Sequence, residues 1–415
     1  MTGRCWLALV VVLASGNATA QEPPPLTLGW ALAEARAQNP EVRALAADES
    51  ASWERVSQAR ALEDPTLTLQ LWNFPFDKRP GAGSMIMYQI AQPLPFPGKR
   101  ALRGEVAATT ARLTGENARA LELTLVAEVT RLYYQLWENR AAREINRRNR
   151  DLVGQLRKAA LARVSTSGGG TGDVLRAETE QARLAVDLVS LGRDRRALAA
   201  ALNVRLGRAA DAPLGEPVAW FPTPAAHDYA RLREEALRQR PDLRAAALEV
   251  ERGERQVALA RRSRWPDFMP SFMIMQDLEM GVSFGAMLGV TIPVWSGQKQ
   301  APAIREASAL VQAARERQRT ALLAIERDLT AALAAYESAA ARVQLLHDEV
   351  VPKARTTLDV IVAGYVTGRE SLITVLDARR VLQDLELDYE RSRAEAEQAR
   401  GELWRAAGGT LPGGR

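Results

Sequence analysis

The chain has 415 residues, 47% of them hydrophobic and 25% charged, which suits two ordinary domains or one elongated one and excludes disorder by composition. Its 55 basic and 50 acidic residues give a formal charge of +5, but the signs alternate in stretches such as REINRRNRDLVGQLRK; that reads as solvated helix faces, not a nucleic-acid footprint. One cysteine, Cys5, and no P-loop, nucleophile elbow or HExxH pattern exclude disulfides and the common catalytic chemistries, so neither an enzyme nor a cofactor-binding protein is expected.

Residues 1–20 read as a secretory signal. Arg4 supplies the positive start, Trp6 to Ala14 form an apolar stretch too short to span a bilayer, and Ala18-Thr19-Ala20 is a cleavage site. The mature chain is expected from Gln21, with no cysteine at the cut to take a lipid. No later run approaches eighteen apolar residues, so any membrane insertion must use strands.

Helical spacing runs from about Leu28 to Leu62, and two alternating strands follow, TLTLQLW and SMIMYQIAQ. Next comes a corner holding Pro93, Pro95, Pro97 and Gly98. The prolines fix φ and remove N–H donors where ladder pairing is expected to stop, at Gln92, and Gly98 permits a tight turn. Lys99, Arg100 and Arg103 would face lipid headgroups or the belt below. From about Gly98 to Val164 the chain reads as one helix, about 100 Å long at ~1.5 Å per residue. Its apolar residues Leu121, Leu125, Val129, Leu132 and Leu136 lie three and four apart, which calls for side-by-side coiled-coil packing. The turn STSGGGTGD ends it, and a second helix runs to about Leu206 with Asp173 as N-cap. The GGG here is a turn and not a phosphate cradle, since no Lys-Ser/Thr follows.

The pattern then repeats. A shift of 201 residues carries Pro40 onto Pro241, Pro65 onto Pro266, and Val174–Ala177 onto Val375–Ala378. The expected organisation is a signal at 1–20, a first repeat at 21–207, a linker or equatorial segment at 208–228, and a second repeat at 229–415. The second repeat brings strands FMPSFMIMQ and VSFGAMLGVTIP, a corner with Pro293 and Gly297, a long helix from about Ala301 to Gly364, the turn YVTGRE, and a helix from Ser371 to about Ala407. All four strands alternate. Leu67, Leu69, Leu71, Ile86, Tyr88, Ile90, Phe272, Ile274 and the even residues Val282 to Ile292 form an apolar face; the other face is small, polar or methionine. Such strands fit a membrane β-barrel, which needs about eight or more, so four per chain require oligomers; a cyclic trimer gives twelve.

AQPLPFPGKRALRGEVA, GVTIPVWSGQKQAPAIREA and AGYVTGRESLITVLDARRVL resemble the two strand-to-helix corners and the periplasmic hairpin of the TolC-type outer membrane efflux factors, and the similarity covers essentially the whole mature chain. The resemblance implies a mainly α fold with a small β part: long antiparallel helices in a trimeric α-barrel tunnel below a twelve-stranded trimeric barrel. It implies a Gram-negative outer membrane location, a homotrimer in outer membrane lipid, and docking to a periplasmic adaptor and an inner-membrane pump of RND type. Thr166, Ser167, Gly168, Val366, Thr367 and Gly368 then belong to the adaptor-docking tip. Tyr365, Arg369 and Asp377 belong to the gate, although Glu370 and Thr374 depart from the family pattern.

Apart from Met1 the chain has seven methionines, all in or beside the strands. Met85, Met87, Met273, Met275 and Met287 fall opposite the apolar face, Met269 shares their parity, and Met280 lies between strands. If the apolar face meets lipid, these thioethers line the pore. Thioether is a soft ligand suited to Cu(I) or Ag(I), which makes such an ion a candidate cargo; the plainer role is flexible apolar filling. His227 and His347 have no clustered partners for zinc. The readings left open are an efflux duct for metals or drugs, a type I protein secretion duct of the same fold, and a non-porous periplasmic coiled-coil scaffold.

Overall fold

A computed structural model describes residues 24–410, apart from 75–82, 168–169, 219, 223–225 and 278–279, and apart from the side chains of 166 and 167. The expected signal peptide and Gly168 therefore lie outside the described residues. The elements are α1 (Leu28–Gln38), α2 (Pro40–Arg60), β1 (Thr66–Trp72), β2 (Met85–Ala91), α3 (Lys99–Ser167) and α4 (Thr171–Arg205), followed by α5 (Tyr229–Gln239), α6 (Pro241–Arg262), β3 (Asp267–Asp277), β4 (Gly281–Thr291), α7 (Gln300–Leu345), a π-helical turn (Leu346–Val350), α8 (Val351–Val366) and α9 (Leu372–Ala406). The second half repeats the first in order and, at several joints, residue by residue.

The helical stretch expected over Leu28–Leu62 is two helices. Asn39 leaves the helical region and its Oδ1 accepts from the N–H groups of Glu41 and Val42, with Pro40 at the first helical position. Its Nδ2 donates to the carbonyl of Arg205 at 2.9 Å. In the second repeat Arg240 stands in the same place before Pro241, and its Nη1 reaches the carbonyl of Ala406 at 3.5 Å. Partner and target have both moved by the same 201 residues. So have Gly207 and Gly408, both left-handed (φ +71 and +88), which close α4 and α9.

α3 has 69 residues, about 100 Å at ~1.5 Å per residue. It packs against α1, α2, α4, α6 and α9, while α7 packs on α5, α6 and α9, and α8 on α9. Burial gathers in three clusters. One joins α1, α3 and α4 around Tyr133, Tyr134 and Trp137; one joins α3, α4, α8 and α9 around Tyr365; the third joins α5, α7 and α9 around Tyr336. The segment after α4 returns along α3: Leu26 bridges Pro217, and the hydroxyls of Tyr133 and Tyr134 donate to the carbonyls of Val218 and Trp220 at 2.5 and 2.8 Å.

Two helix details differ from expectation. Gly170, not Asp173, is the N-cap of α4, and Asp173 sits in its first turn, where a carboxylate still favours the helix dipole. The second long helix is interrupted. Pro352 has no N–H to give the carbonyl four residues back, and just before it the ladder widens, so that the N–H of Val351 reaches the carbonyl of Leu346.

The strands form one antiparallel sheet in the order β1-β2-β3-β4. Among the described residues β1 and β4 are unpaired edges. Leu67, Leu69, Leu71, Phe284 and Leu288 are 58 to 74% exposed, so an apolar face and two open edges await cover.

Candidate functional site

The pairing register settles which side chains share a face. Leu69 lies opposite Tyr88, Tyr88 opposite Ile274, and Ile274 opposite Phe284. One residue along, Met87 lies opposite Met275, Gln89 opposite Met273, Met85 opposite Asp277, and Ser271 opposite Met287. Met85, Met87, Met273, Met275 and Met287 therefore occupy the face opposite the apolar one, and Met269, paired to Gly289, joins them. The glycines of β4 make room: a Cβ on Gly285 would come within 2.9 Å of Met273 Cγ and 3.8 Å of Met275 Cε. Met280 lies at the β3–β4 turn, 84% exposed. Among the described residues no group of three His, Cys, Asp or Glu is placed to hold a metal ion, so thioethers are the soft donors concentrated in one place.

The corner differs from its sequence reading. Pairing does not stop at Gln92. The N–H groups of Gln92, Leu94 and Phe96 all point to β3, donating to the carbonyls of Pro270 and Phe268 and to Asp267 Oδ1 at 3.0, 2.7 and 2.7 Å. Pro93, Pro95 and Pro97 alternate with them, so the missing donors lie on the side that faced β1, whose strand has ended. The prolines thus silence one edge while the other stays bonded. Gly98 is left-handed (φ +91), as the turn requires. Gly297, its expected counterpart, is not; Pro293 and Gly297 sit in a looser, exposed turn beside Val294 and Trp295.

Of the corner cations, Lys99 faces inward. Lys99 is 5% exposed and donates to Asp267 Oδ1 at 2.8 Å and the Trp265 carbonyl at 2.9 Å. Arg100 Nε donates to the Arg60 carbonyl at 2.9 Å, and Arg103 lies 3.8 Å from Glu63. These groups stitch α3 to α2 and β3. Phe96 stacks on Trp265, with ring centroids 5.2 Å apart.

At the other end, α8 finishes at Val366, Gly368 (φ +80) reverses the chain, and the N–H of Arg369 reaches the Gly364 carbonyl at 2.8 Å. Val366 and Thr367 are exposed. Thr166 and Ser167 close the last turn of α3. Tyr365 is buried, and the guanidinium of Arg163 sits 4.2 Å above its ring while donating to its carbonyl. Ser371 caps α9 by accepting from the N–H of Thr374, and the two hydroxyls lie 2.9 Å apart, so Thr374 serves the cap. Arg369 meets Thr367 Oγ1 at 3.3 Å and Asp377 meets Arg380 at 3.6 Å. Among the described residues no hydrogen bond or ion pair joins Tyr365, Arg369 and Asp377 to one another.

What does join the helices near the tip went unread in the sequence. Glu180 of α4 is buried between Arg379, itself 1% exposed, and Arg380, whose Nη2 lies 2.6 Å away. Arg379 also reaches Gln383 at 2.7 Å and Asn149 of α3 at 3.4 Å. Burial alone would raise the Glu180 carboxyl, but the Arg380 hydrogen bond and the two guanidinium charges outweigh it and hold the group below its ordinary range. The signal was available: Leu372, Val375, Leu376, Arg379 and Leu382 form one 3–4 stripe, and a charge on it must find a partner.

Comparison with known proteins fits this arrangement. The model of the family described as outer membrane efflux protein matches residues 232–409. The chain is 22% identical over 365 residues to the cobalt-zinc-cadmium resistance protein CzcC of Cupriavidus metallidurans, covering 88% of this chain and 86% of that one. It is 28% identical over 221 residues to the pyoverdine export outer membrane protein OpmQ of Pseudomonas putida, covering 47% and 44%. Its fold matches the crystal structure of CusC with a TM-score of 0.79 at 16% identity, covering 92% of each chain.

Proposed function

We propose that the chain is a TolC-type outer membrane efflux factor, the passive exit duct of a tripartite pump whose cargo is a soft monovalent cation of the Cu(I) or Ag(I) kind. The observation that carries the cargo reading is the methionine face. Six thioethers from three strands share it, two of them, Met87 and Met275, directly opposed. A soft donor array holds such an ion weakly and repeatedly, which suits passage better than storage.

The duct reading rests on the open sheet. A second copy can pair its β1 with the free edge of β4, and three copies close twelve strands with Leu67, Phe284 and Leu288 turned to lipid. The eleven residues of β4 extend about 37 Å, or roughly 28 Å along the normal once tilted, which matches an outer membrane apolar band. The helices then reach about 100 Å into the periplasm. There Thr166, Ser167, Gly168, Val366, Thr367 and Gly368 offer the adaptor-docking turns, and Tyr365, Arg369 and Asp377 act as a gate through contacts between subunits. An inner-membrane pump of RND type supplies the energy.

A second reading comes from the cobalt, zinc and cadmium named for the CzcC relative. The two separate in one experiment. The five residues Met85, Met87, Met273, Met275 and Met287 are replaced by leucine in a host lacking its own factor, with outer membrane trimer checked by fractionation. Copper and silver tolerance should fall while trimer persists. Unchanged copper and silver tolerance overturns the soft-cation reading, and a protein that restores only cobalt, zinc and cadmium tolerance favours the second. Protection against organic compounds alone would reject both.

A further inference from the structure

Midway along α3, Arg140, Arg143 and Arg147 repeat at three- and four-residue spacing and so share one face of the helix. With Arg195 of α4 they line a groove of about 780 Å³, walled on its far side by Pro24, Pro25 and the segment 214–218. Two carboxylates also line it, Glu144 and Glu216. Glu216 is shared by Arg143 at 2.9 Å and Arg195 at 3.0 Å, and Glu144 takes Arg140 at 2.9 Å. Among the described residues Arg147 enters no ion pair and is exposed. The groove therefore carries two cations more than it can neutralise.

Its donors are also fixed in place. Arg143, whose side chain is 13% exposed, is further held by Asn139 Oδ1 at 3.1 Å. Arg140 Nη1 donates to the Pro217 carbonyl at 2.7 Å, and Arg195 Nη2 to the Leu214 carbonyl at 3.3 Å. A guanidinium held on one side still presents unused N–H donors on the other. Carboxylates match that fork bidentately and cost it little further ordering.

The depth of the groove selects the occupant. α3 starts at Lys99, where the sheet ends, and Arg140 to Arg147 lie 41 to 48 residues further, about 60 to 70 Å at ~1.5 Å per residue. Lipid headgroups do not reach so far. A duct crossing the periplasm must thread the cell-wall layer, whose peptide stems carry free carboxylates. Resting on the duct reading above, we propose that this groove binds those stem carboxylates and fixes the duct in the wall.

The whole protein in detergent, incubated with purified peptidoglycan sacculi and sedimented, tests this without any transport. Wild type should co-sediment at low salt and be released at high salt. Arg147→Glu should bind severalfold more weakly. Arg150→Glu, an exposed change on the same helix outside the groove, should bind as wild type. Sacculi with amidated stem carboxyls should fail to retain the wild type. Equal sedimentation of Arg147→Glu, retention on amidated sacculi, or no sedimentation at all overturns the proposal. Thermal midpoints of both variants report folding, and outer membrane fractionation tests the duct reading separately.

Discussion

Lys99, the first residue of α3, lies 2.8 Å from Asp267, the first residue of β3, and so ties the long helix of one repeat to the strand of the other where sheet becomes tunnel. Lys99→Met removes the cation and also orphans the Trp265 carbonyl. Asp267 is 41% exposed, so solvent limits the loss to about 1 to 3 kcal/mol. On the proposed duct and cargo, the expected outcome is a reduced yield of outer membrane trimer, with copper tolerance per assembled trimer unchanged. Lys99→Met/Asp267→Leu should recover part of the yield, because no lone charge remains. A single variant that assembles like wild type would show that Phe96 stacking suffices.

The same corner marks how far the sequence could be read. Alternation and helix-forming runs placed all four strands and the long helices, because those signals are local and repeated twice. The tandem shift aligned Pro40 with Pro241, but the helix breaks at Asn39 and Arg240 and the glycine closures at Gly207 and Gly408 come only from the structure. Unread were contacts that bring together residues far apart in the chain. A lysine after a glycine resembles a surface lysine until Asp267 arrives 168 positions later. Arg379 sat visibly on an apolar stripe, but nothing local names Glu180 as its partner. The gate trio was assigned by resemblance, and among the described residues no hydrogen bond or ion pair joins its members. Pro352 carried a legible warning, since a proline mid-helix must disturb the ladder.

The paired glycines yield an asymmetric prediction. A Cβ on Gly207 would collide with the carbonyl oxygen of Gln38, while one on Gly408 would approach Gln239 Cβ at 2.9 Å and the Arg240 nitrogen at 3.0 Å. Gly281 (φ +98) has open space around it. Alanine at Gly281 should cost only the left-handed strain, about 1 to 2 kcal/mol. Gly408→Ala should cost more and Gly207→Ala the most. Thermal midpoints followed by far-ultraviolet circular dichroism rank the three, and equal losses would show that strain alone matters.

The buried Glu180 group should behave as a coupled unit. Glu180→Gln leaves Arg379 buried without its charge, which costs about 3 to 5 kcal/mol when one partner of a buried pair is removed. Local opening should follow, read as faster deuterium exchange across 365–383 with little change in the Tyr133 cluster. Glu180→Leu/Arg379→Met should be protected better than either single change. Additive losses in this cycle would mean that the two residues act independently.

The middle of the helical bundle, around Glu397 of α9, predicts a response to acid of opposite sign to that of the Glu180 group. Glu397 is buried, and burial raises its carboxyl above the ordinary range despite the opposing charge of Arg400; Glu138 and Glu390 are raised for the same reason. A carboxyl raised on folding contributes stability that is present below its unfolded value, about 4.3, and lost as pH rises through the folded value. Acidification from neutrality toward that unfolded value should therefore raise the thermal midpoint. Glu180, lowered on folding, contributes stability above the unfolded value and loses it as pH falls through the folded one, so it is unaffected in that window and weakens the tip only in stronger acid. Glu397→Gln isolates the effect: it should match or exceed wild type near neutrality and show a flatter pH profile. A midpoint that falls steadily from neutrality, or a glutamine variant with an unaltered slope, would mean that Arg393 and Arg400 already hold these carboxylates ionised in the folded chain.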